Sequence, residues 1–445
     1  MPEHDSTAGA GQGAPDGAGE QESLQQFLLF LGSALTAAGA AVNEIEEHLR
    51  RVAEAYGAPY ARVSVLPTYL VVSLEPGRPA TLEPTRQLRG GLRLDQTAAL
   101  YDVLRSAEQG RVPPASGSRR IQDVVDMPPR FGLGVRVFGH AVLVVGICLI
   151  LQPTWGDLVL AALFGVLVGA FKLAGARWSS LQMIMPIGAA FTVSALTFLL
   201  AGTGWTDADL RAMVAPLATF LPGAMLTMAV VEVSAAELVT GSSRLVAGSL
   251  QLLLLGFGII GAAEAVGVPR AQVPVSAPQN ALGGWAPWLG VLVVAVGSFL
   301  LYSGPRRSLA WLCLVLYAGW SGQYLGDLLL GGYLSGFVGA VVLTVVAYLV
   351  ERVPAGPPAL VSFLPGFWLL VPGALSLIGM TEYLGQDQIR GTQDLLGALG
   401  SMVAVALGVL CGHPLYRALA RSLDAADRTG RWAWRRARGR RPEAP

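Results

Sequence analysis

Charged residues are scarce in this chain. Asp, Glu, Lys and Arg make up 14% of the 445 residues and hydrophobic residues 53%, and the mean hydropathy is +0.53. This composition excludes an ordinary soluble protein of the same length and predicts a membrane protein. The net charge is only +1, so no strong positive field indicates a nucleic-acid partner.

Cysteine and lysine are also rare. The three cysteines, Cys148, Cys313 and Cys411, lie in apolar runs without the spacing of metal ligands or of a redox pair, and we interpret them as small core residues. Lys172 is the only lysine, and Leu173 follows it, which excludes a Walker A loop, where Ser or Thr follows the lysine. The sequence therefore predicts no metal site and no cofactor. Any transport must draw on an ion gradient, on the substrate gradient or on a separate subunit.

Catalytic motifs are missing from the region that precedes the apolar segments. It contains no HExxH, GxSxG, CxxC or DxD-type cluster, and we interpret His48 as a surface helix residue. The sequence therefore does not predict an enzyme. One alternative of this class stays open, a membrane-anchored sensor or enzyme that acts through its N-terminal domain.

Long apolar segments begin at about residue 130 and alternate with short polar turns. A bilayer core requires about 20 apolar residues for each spanning helix. The sequence predicts about ten spans, at residues 133–151, 158–174, 181–201, 212–236, 244–265, 287–303, 309–326, 333–350, 359–380 and 394–412.

The basic residues of the short loops predict the orientation, since Lys and Arg are retained on the cytoplasmic side. With the N-terminus inside, the cytoplasmic loops contain Lys172, Arg177, Arg244, Arg306, Arg307 and Arg352, and the external loops contain Arg211, Arg270 and Arg390. We interpret Lys172 and Arg177 as anchors at the cytoplasmic surface. The sequence predicts a multi-pass protein of the cytoplasmic cell membrane with both termini in the cytoplasm.

The tetrapeptide FLPG occurs twice, at residues 220–223 and 363–366. Each copy lies in the fourth span of a group of five, and a Glu and a Gly follow each copy (Glu237 and Gly241, Glu382 and Gly385). Two five-helix units in tandem enter the membrane in opposite directions, because five is odd. The predicted fold is thus an all-α polytopic membrane protein made of two inverted five-helix repeats, an arrangement typical of secondary transporters.

Both FLPG copies are predicted to interrupt a helix. Proline lacks the backbone donor, glycine allows close approach, and irregular backbone at membrane depth is tolerated where it lines a cavity. The predicted substrate pathway consists of Thr219, Phe220, Pro222, Gly223, Thr227, Ser362, Phe363, Pro365 and Gly366. The alternative interpretation is that the two copies are packing kinks.

Four ionisable residues inside or beside the spans are candidates for proton coupling, because such groups usually face a cavity or a partner. Glu232, ten residues beyond Pro222, is the first of them, followed by Glu237, His140 and Asp327. Alternatively, Glu237 and Asp327 lie at span ends in headgroup water, and His140 is a hydrogen-bonded core histidine.

The residues before the first span have the pattern of a small cytoplasmic α+β domain. Apolar positions from Leu24 to Tyr56 follow one helical face that is interrupted at Gly39, and Asn43 with Glu46 resembles a capping box. RVSVL and YLVVSL predict two strands. The predicted organisation is a disordered tail without a signal peptide (1–22), this domain (23–115), a linker (116–132), the first membrane unit (133–266), an external linker (267–286), the second membrane unit (287–413) and a basic cytoplasmic tail (414–445).

Two stretches resemble the threonine/serine exporter family. LTAAGAAVNEIEEHLRRVAEAYG with VSVLPTYLVVSL is similar to its N-terminal region, and FLPGAMLTMAVVEVSAAELVTGSSR is similar to its Pro-Gly helix, placing the two acids at Glu232 and Glu237, the glycine at Gly241 and the arginine at Arg244. The second half resembles the smaller membrane domain that some members carry as a separate subunit, so this chain resembles the fused form. The chain departs from the family at Ala41, where an acid is common, which weakens any catalytic role attached to that acid.

The resemblance implies export of threonine and serine driven by the proton gradient. Relatives with split subunits imply an alternative substrate, a dicarboxylate such as succinate. The expected partners are this small-molecule substrate, protons and membrane lipids, and a homo-oligomer is left open. The tail RTGRWAWRRARGRR, rich in Arg and Trp, is predicted to bind the anionic inner leaflet and not nucleic acid.

Overall fold

The computed structural model describes residues 16–75, 77, 80–84, 91–151, 154–175, 178–201, 210–268, 282–332, 334–370, 373–384 and 388–439. The chain divides into two compact units. Unit 1 comprises Met1–Arg89 with Leu100–Met127, and unit 2 comprises Gly90–Ala99 with Pro128–Pro445. The predicted residues Arg177, Arg270 and Gly385 lie outside the described residues.

Unit 1 contains helices and a small antiparallel sheet. Its elements are α1 (Asp16–Ala38), α2 (Val42–Ala55), β1 (Arg62–Val65), β2 (Tyr69–Ser73), β3 (Thr81–Pro84), the larger part of α3 (Leu94–Glu108) and α4 (Pro114–Asp126). The strand order is β1-β2-β3, and Val65 pairs with Leu70 across the turn at Pro67 and Thr68. The two predicted strands are present, and β3 is an addition.

Three sequence predictions for unit 1 are wrong. Helix α1 begins at Asp16, inside the segment predicted as a disordered tail. Helix α4 occupies most of the predicted linker, because Pro114 fits the first turn of a helix and Ile121 is fully buried. The capping box is absent, since α2 begins at Val42 and the Glu46 carboxylate instead accepts a hydrogen bond from the Val65 N–H at 2.9 Å.

Unit 2 is helical over its described residues. Its helices are α5 (Leu133–Ile150), α6 (Trp155–Gly175), α7 (Ser179–Ala201), α8 (Leu210–Leu217), α9 (Gly223–Ser234), α10 (Leu238–Val266), α11 (Ala286–Leu301), α12 (Leu309–Leu330), α13 (Leu334–Glu351), α14 (Ala359–Leu370), α15 (Gly373–Leu384) and α16 (Gln388–Gly439). Each of the ten predicted spans falls on one of these helices or on a consecutive pair.

Six helices among the described residues are long and apolar enough to cross a membrane, or seven if the bent pair α8–α9 is one span. The six are α5, α6, α7, α10, α13 and α16. Helices α11 and α14 are apolar but shorter. The protein is therefore a helical polytopic membrane protein, and the number of ten spans stays a prediction.

Close helix packing in unit 2 depends on glycine. A Cβ added to Gly139 would lie 2.6 Å from the Leu301 nitrogen, and one added to Gly297 would lie 2.3 Å from the Leu143 nitrogen. Residue numbers therefore run in opposite directions along the contact, so α5 and α11 pack antiparallel. Small residues allow the backbones of membrane helices to approach in this way.

Helices of the two halves of unit 2 also pack against each other. Helix α10 packs on α15, where Gly256 faces Met380 and Leu384. Reciprocally, α16 packs on α9, and Met228 of α9 lies against the apolar cluster that contains Val405. The last helix of each half thus contacts the helix that follows the break in the other half.

Only the first FLPG copy interrupts a helix. A 3₁₀ turn ends at Phe220, Leu221 is extended (ψ 129°), and α9 begins at Gly223. The predicted break at Pro365 is wrong, because Pro365 lies inside α14, which continues to Leu370.

The second copy instead has a packing role. A Cβ on Gly366 would lie 2.7 Å from the Leu343 side chain, so this glycine allows α13 and α14 to pack closely. A proline inside a helix removes one hydrogen bond, and a well-packed helix can continue past it. Helix α14 ends at Leu370, and the next helix, α15, begins at Gly373.

Candidate functional site

The break between α8 and α9 bends the chain by 50°. Pro222 has no N–H and stands immediately before α9. In an uninterrupted helix the carbonyls of Thr219 and Phe220 would accept hydrogen bonds from the N–H groups four residues later. The bend redirects the chain, and those carbonyls then require other donors.

Two side chains from neighbouring helices supply these donors. The Lys172 ammonium on α6 donates to the Thr219 carbonyl at 3.2 Å, and the Gln251 amide on α10 donates to the Phe220 carbonyl at 2.5 Å. The Lys172 Nζ also lies 5.2 Å from the centre of the Phe220 ring, within cation–π range. The interpretation of Lys172 as a surface anchor is therefore wrong, since its charge is held at the break.

His140 on α5 joins the same cluster. Its side chain is fully buried, its Nδ1 lies 2.7 Å from the Gly165 carbonyl oxygen, and its Nε2 lies 3.1 Å from the Thr219 hydroxyl. A carbonyl can only accept, so Nδ1 carries the proton and Nε2 accepts from Thr219. Both nitrogens are satisfied, as in the core-histidine interpretation, and one of the partners belongs to the break itself.

Glu232 lies on α9 in a buried ion pair. Its side chain is 1% exposed, and its Oε2 lies 3.0 Å from the Nε of Arg244 on α10. A tight turn after α9 makes this possible, because a Cβ on Gly241 would lie 2.9 Å from the Ala229 carbonyl oxygen and α10 can fold back closely on α9. The predicted coupling residue is thus enclosed in the protein next to a permanent positive charge.

The other two acidic candidates are more open. Glu237 is half-buried and immediately precedes α10, where its carbonyl accepts from the Gly241 N–H at 3.0 Å. Asp327 is exposed near the C-terminus of α12. Their positions at helix ends agree with the headgroup alternative.

Two buried hydroxyl groups lie on the helices that flank the breaks. Thr227 on α9 and Ser362 on α14 are 0% and 1% exposed. Neither hydroxyl has a hydrogen-bond partner among the described residues. Both groups are able to bind a polar ligand, and both belong to the predicted substrate pathway.

The two interruptions of unit 2 meet. A Cβ built on Gly373 would lie 3.3 Å from the Leu221 Cβ and 3.8 Å from the Gly223 Cα. Since α9 begins at Gly223 and α15 at Gly373, two helix N-termini converge at this contact, which we call the break contact. Backbone N–H groups and helix dipoles favour an anion at such a place. The described residues contain no cluster of three or more His, Cys, Asp or Glu able to hold a metal ion.

Sequence reasoning missed the roles of Lys172 and Gln251 and the position of the second break. One sequence signal for that break exists, since Pro372-Gly373-Ala374 repeats Pro222-Gly223-Ala224. The longer FLPG match concealed it.

Comparison with known proteins gives a family match and distant relatives. The sequence model of the ThrE family, described as "Putative threonine/serine exporter", matches residues 26–266. The chain is 22% identical over 405 residues to Pheromone-regulated membrane protein 10 of Eremothecium gossypii, covering 86% of this chain and 53% of the relative. It is 24% identical over 380 residues to the protein of the same name from Yarrowia lipolytica, covering 80% of this chain and 30% of that relative. The chain thus spans about half or less of the length of these relatives. No solved structure matches the chain.

Proposed function

Because the chain belongs to the ThrE family, we propose that it is a secondary active transporter that exports threonine and serine across the cytoplasmic membrane, driven by the proton gradient. The observation that carries this proposal is the break contact, where Leu221 and Gly223 lie against Gly373. Interrupted helices that meet inside a membrane protein are typical of the substrate sites of secondary transporters.

The break contact suits the polar groups of a small amino acid. The N-termini of α9 and α15 supply backbone donors and positive dipole ends for the substrate carboxylate. The hydroxyl of Thr227, one turn into α9, is a partner for the side-chain hydroxyl of threonine or serine. Lys172 and Gln251 keep the broken backbone rigid enough to present these groups.

The packing of unit 2 supports a mechanism of alternating access by inverted repeats. Helices α5 and α11, the first of each half, pack antiparallel. Helices α10 and α16, the last of each half, each contact the broken helix of the other half. Rocking of one half against the other would open the break contact first to one side of the membrane and then to the other.

One observation favours a dicarboxylate such as succinate as the second candidate substrate. Lys172, the only lysine of the chain, lies at the first break. Its ammonium would attract the second carboxylate of a dicarboxylate, in addition to the one held by the helix N-termini. This substrate changes the chemistry of recognition but leaves the mechanism of transport unchanged.

The test is efflux of labelled threonine, serine and succinate from preloaded vesicles that contain the purified protein, with and without an imposed pH gradient. We expect the gradient to stimulate efflux of threonine or serine and Glu232→Gln to abolish the stimulation, because the variant removes an ionisable group. Efflux of succinate alone would establish the second candidate. If no substrate moves under any gradient, the transporter proposal is wrong, and a sensor or enzyme acting through unit 1 becomes the leading hypothesis.

A further inference from the structure

The two halves of unit 2 share a sequence register that begins at the breaks. PGAMLTMAVVEVSAAELVTGSSR (residues 222–244) aligns without a gap with PGALSLIGMTEYLGQDQIRGTQD (residues 372–394), at a displacement of 150 residues. Both segments start with Pro-Gly-Ala and have Glu at the eleventh and Gly at the twentieth position. In this register Glu382 corresponds to Glu232, and the pairing of Glu382 with Glu237 that the FLPG copies suggested is replaced.

The packing supports the same register. A Cβ on Gly241 would lie 2.9 Å from both the Ala229 carbonyl oxygen and the Val233 nitrogen. A Cβ on Gly391 would lie 2.8 Å from the Gly379 carbonyl oxygen and 2.4 Å from the Tyr383 nitrogen. The contacted residues differ by the same 150 positions as the glycines. The packing of α16 on α15 at Gly391 therefore repeats the packing of α10 on α9 at Gly241.

Glu232 and Glu382 occupy equivalent positions in different surroundings. Glu232 is enclosed and ion-paired with Arg244, whereas Glu382 is only partly buried. The counterpart of Arg244 is Asp394, whose Cβ lies 3.0 Å from the position of a Cβ on Gly379, one turn before Glu382. One half thus holds a carboxylate with a guanidinium, and the other half has an acid in the place of that guanidinium.

We propose that Glu382 is a second proton-coupling carboxylate, equivalent to Glu232, and that the two acids serve opposite sides of the membrane. The inference rests on the proposed transport function and on the inverted arrangement of the halves. Both acids lie ten residues beyond their break, about 15 Å along a helix. Since the halves enter the membrane in opposite directions, the two helices extend from the break contact toward opposite faces.

The different states of the two acids fit one stage of a transport cycle. Glu232 is the more enclosed of the two acids, so we assign it to the closed end of the pathway, and we assign Glu382, which is partly exposed although its Oε2 is buried, to the end where a proton is taken up or released. When the halves exchange conformations, Glu382 becomes enclosed and Glu232 becomes accessible. Over one cycle a proton taken up by Glu382 from outside is passed along the pathway to Glu232 and released into the cytoplasm, and both groups return to the carboxylate form, so protons and charges balance.

Charged side chains on the helices packed against α15 will influence the protonation of Glu382. Among the described side chains, those on α16, α10 and α9 are Arg390, Asp394, Arg417, Arg421, Asp424, Arg244, Glu264 and Glu232. Arg211 on α8 also belongs to this group, and its side chain lies outside the described residues.

The first experiment tests the opposite placement without requiring activity. Val239 and Ile389 are counterparts in the register, and they are 59% and 77% exposed at the starts of α10 and α16. Val239→Cys and Ile389→Cys are introduced singly into the full chain with Cys148, Cys313 and Cys411 replaced by Ala. A membrane-impermeant thiol reagent is then applied from each side.

We expect labelling of Val239→Cys from the cytoplasm and of Ile389→Cys from outside. Labelling of both from one side, or of either from neither side, would overturn the proposal.

The second experiment tests coupling. We expect Glu382→Gln to reduce gradient-stimulated efflux at least about tenfold, as for Glu232→Gln, while exchange of labelled for unlabelled substrate stays within about threefold of wild type. The matched control is Glu54→Gln, an exposed acid of α2 in unit 1, which should leave both rates unchanged. Wild-type gradient stimulation in Glu382→Gln overturns the coupling role. Absence of efflux from the wild-type protein instead rejects the proposed function, and the labelling result still decides whether α9 and α15 extend toward opposite faces.

Discussion

At the residue scale, the break at Pro222 is stabilised by side chains that belong to no recognisable sequence motif. Lys172 lies 50 residues before Pro222 along the chain and Gln251 lies 29 residues after it, yet both donate to the carbonyls of the break. The sequence indicates only that Pro222 must leave carbonyls without helical partners. Which side chains satisfy them depends on how α6 and α10 pack, and that information is not local in the sequence.

Replacement of Lys172 tests this stabilisation. Lys172→Met keeps the length of the side chain and removes the charged donor, so the Thr219 carbonyl loses its hydrogen bond. We expect a loss of about 1.5–3 kcal/mol, the usual range for a hydrogen bond to a charged group, measured as a lower thermal unfolding midpoint in detergent. Lys172→Arg retains a donor and should recover most of the difference. An unchanged midpoint in Lys172→Met would show that the bond contributes little.

At the element scale, the sequence predicts the positions of helices better than their interruptions. The ten apolar segments correspond to helices of unit 2, because long apolar runs leave few other structures available. Pro222 and Pro365 stand in the same tetrapeptide, FLPG. The helix is nevertheless interrupted at Pro222 and continuous at Pro365. The difference arises from packing, since Gly366 fits against Leu343, whereas Lys172 and Gln251 donate to the carbonyls that precede Pro222. The sequence does not predict helix α4 for a similar reason, because the burial of Ile121 and Val124 depends on packing against other elements.

The equivalent glycines of α10 and α16 give a prediction at this scale. Gly241→Ala and Gly391→Ala each place a Cβ under 3.0 Å from backbone atoms of the preceding helix, so α9 and α10, or α15 and α16, must separate. We expect both variants to lose gradient-stimulated efflux, because the acids of α9 and α15 then shift relative to the following helices. Efflux at the wild-type rate in either variant would contradict the requirement for close packing.

The matched control is Gly134→Ala in the first turn of α5. A Cβ there meets nothing within 4 Å, so the substitution should preserve efflux. It should also stabilise the helix by about 0.5–1 kcal/mol, because alanine has the higher helix propensity.

At the scale of the whole membrane unit, the two halves are joined by contacts that a single sequence does not display. Helices α5 and α11 pack antiparallel, α10 packs on α15, and α16 packs on α9. These contacts bring Leu221 next to Gly373. The sequence predicted two related halves from FLPG, and the repeated Pro-Gly-Ala with its later Glu and Gly gives their register. Alternating access requires the break contact to change as the halves move, which makes it the place to test motion.

A disulfide across the break contact tests that requirement. Leu221→Cys and Gly373→Cys are combined in the chain without its three native cysteines. The Cβ separation of 3.3 Å is close to the 3.5–4.5 Å found in disulfides, so we expect the pair to oxidise. The oxidised protein should lose efflux and recover it on reduction, because the bond prevents the halves from separating at the breaks. Each single variant, treated with the same oxidant, is the control and should retain its efflux. Failure of the pair to oxidise would contradict the meeting of the breaks, and full efflux from the oxidised pair would show that transport does not require them to separate.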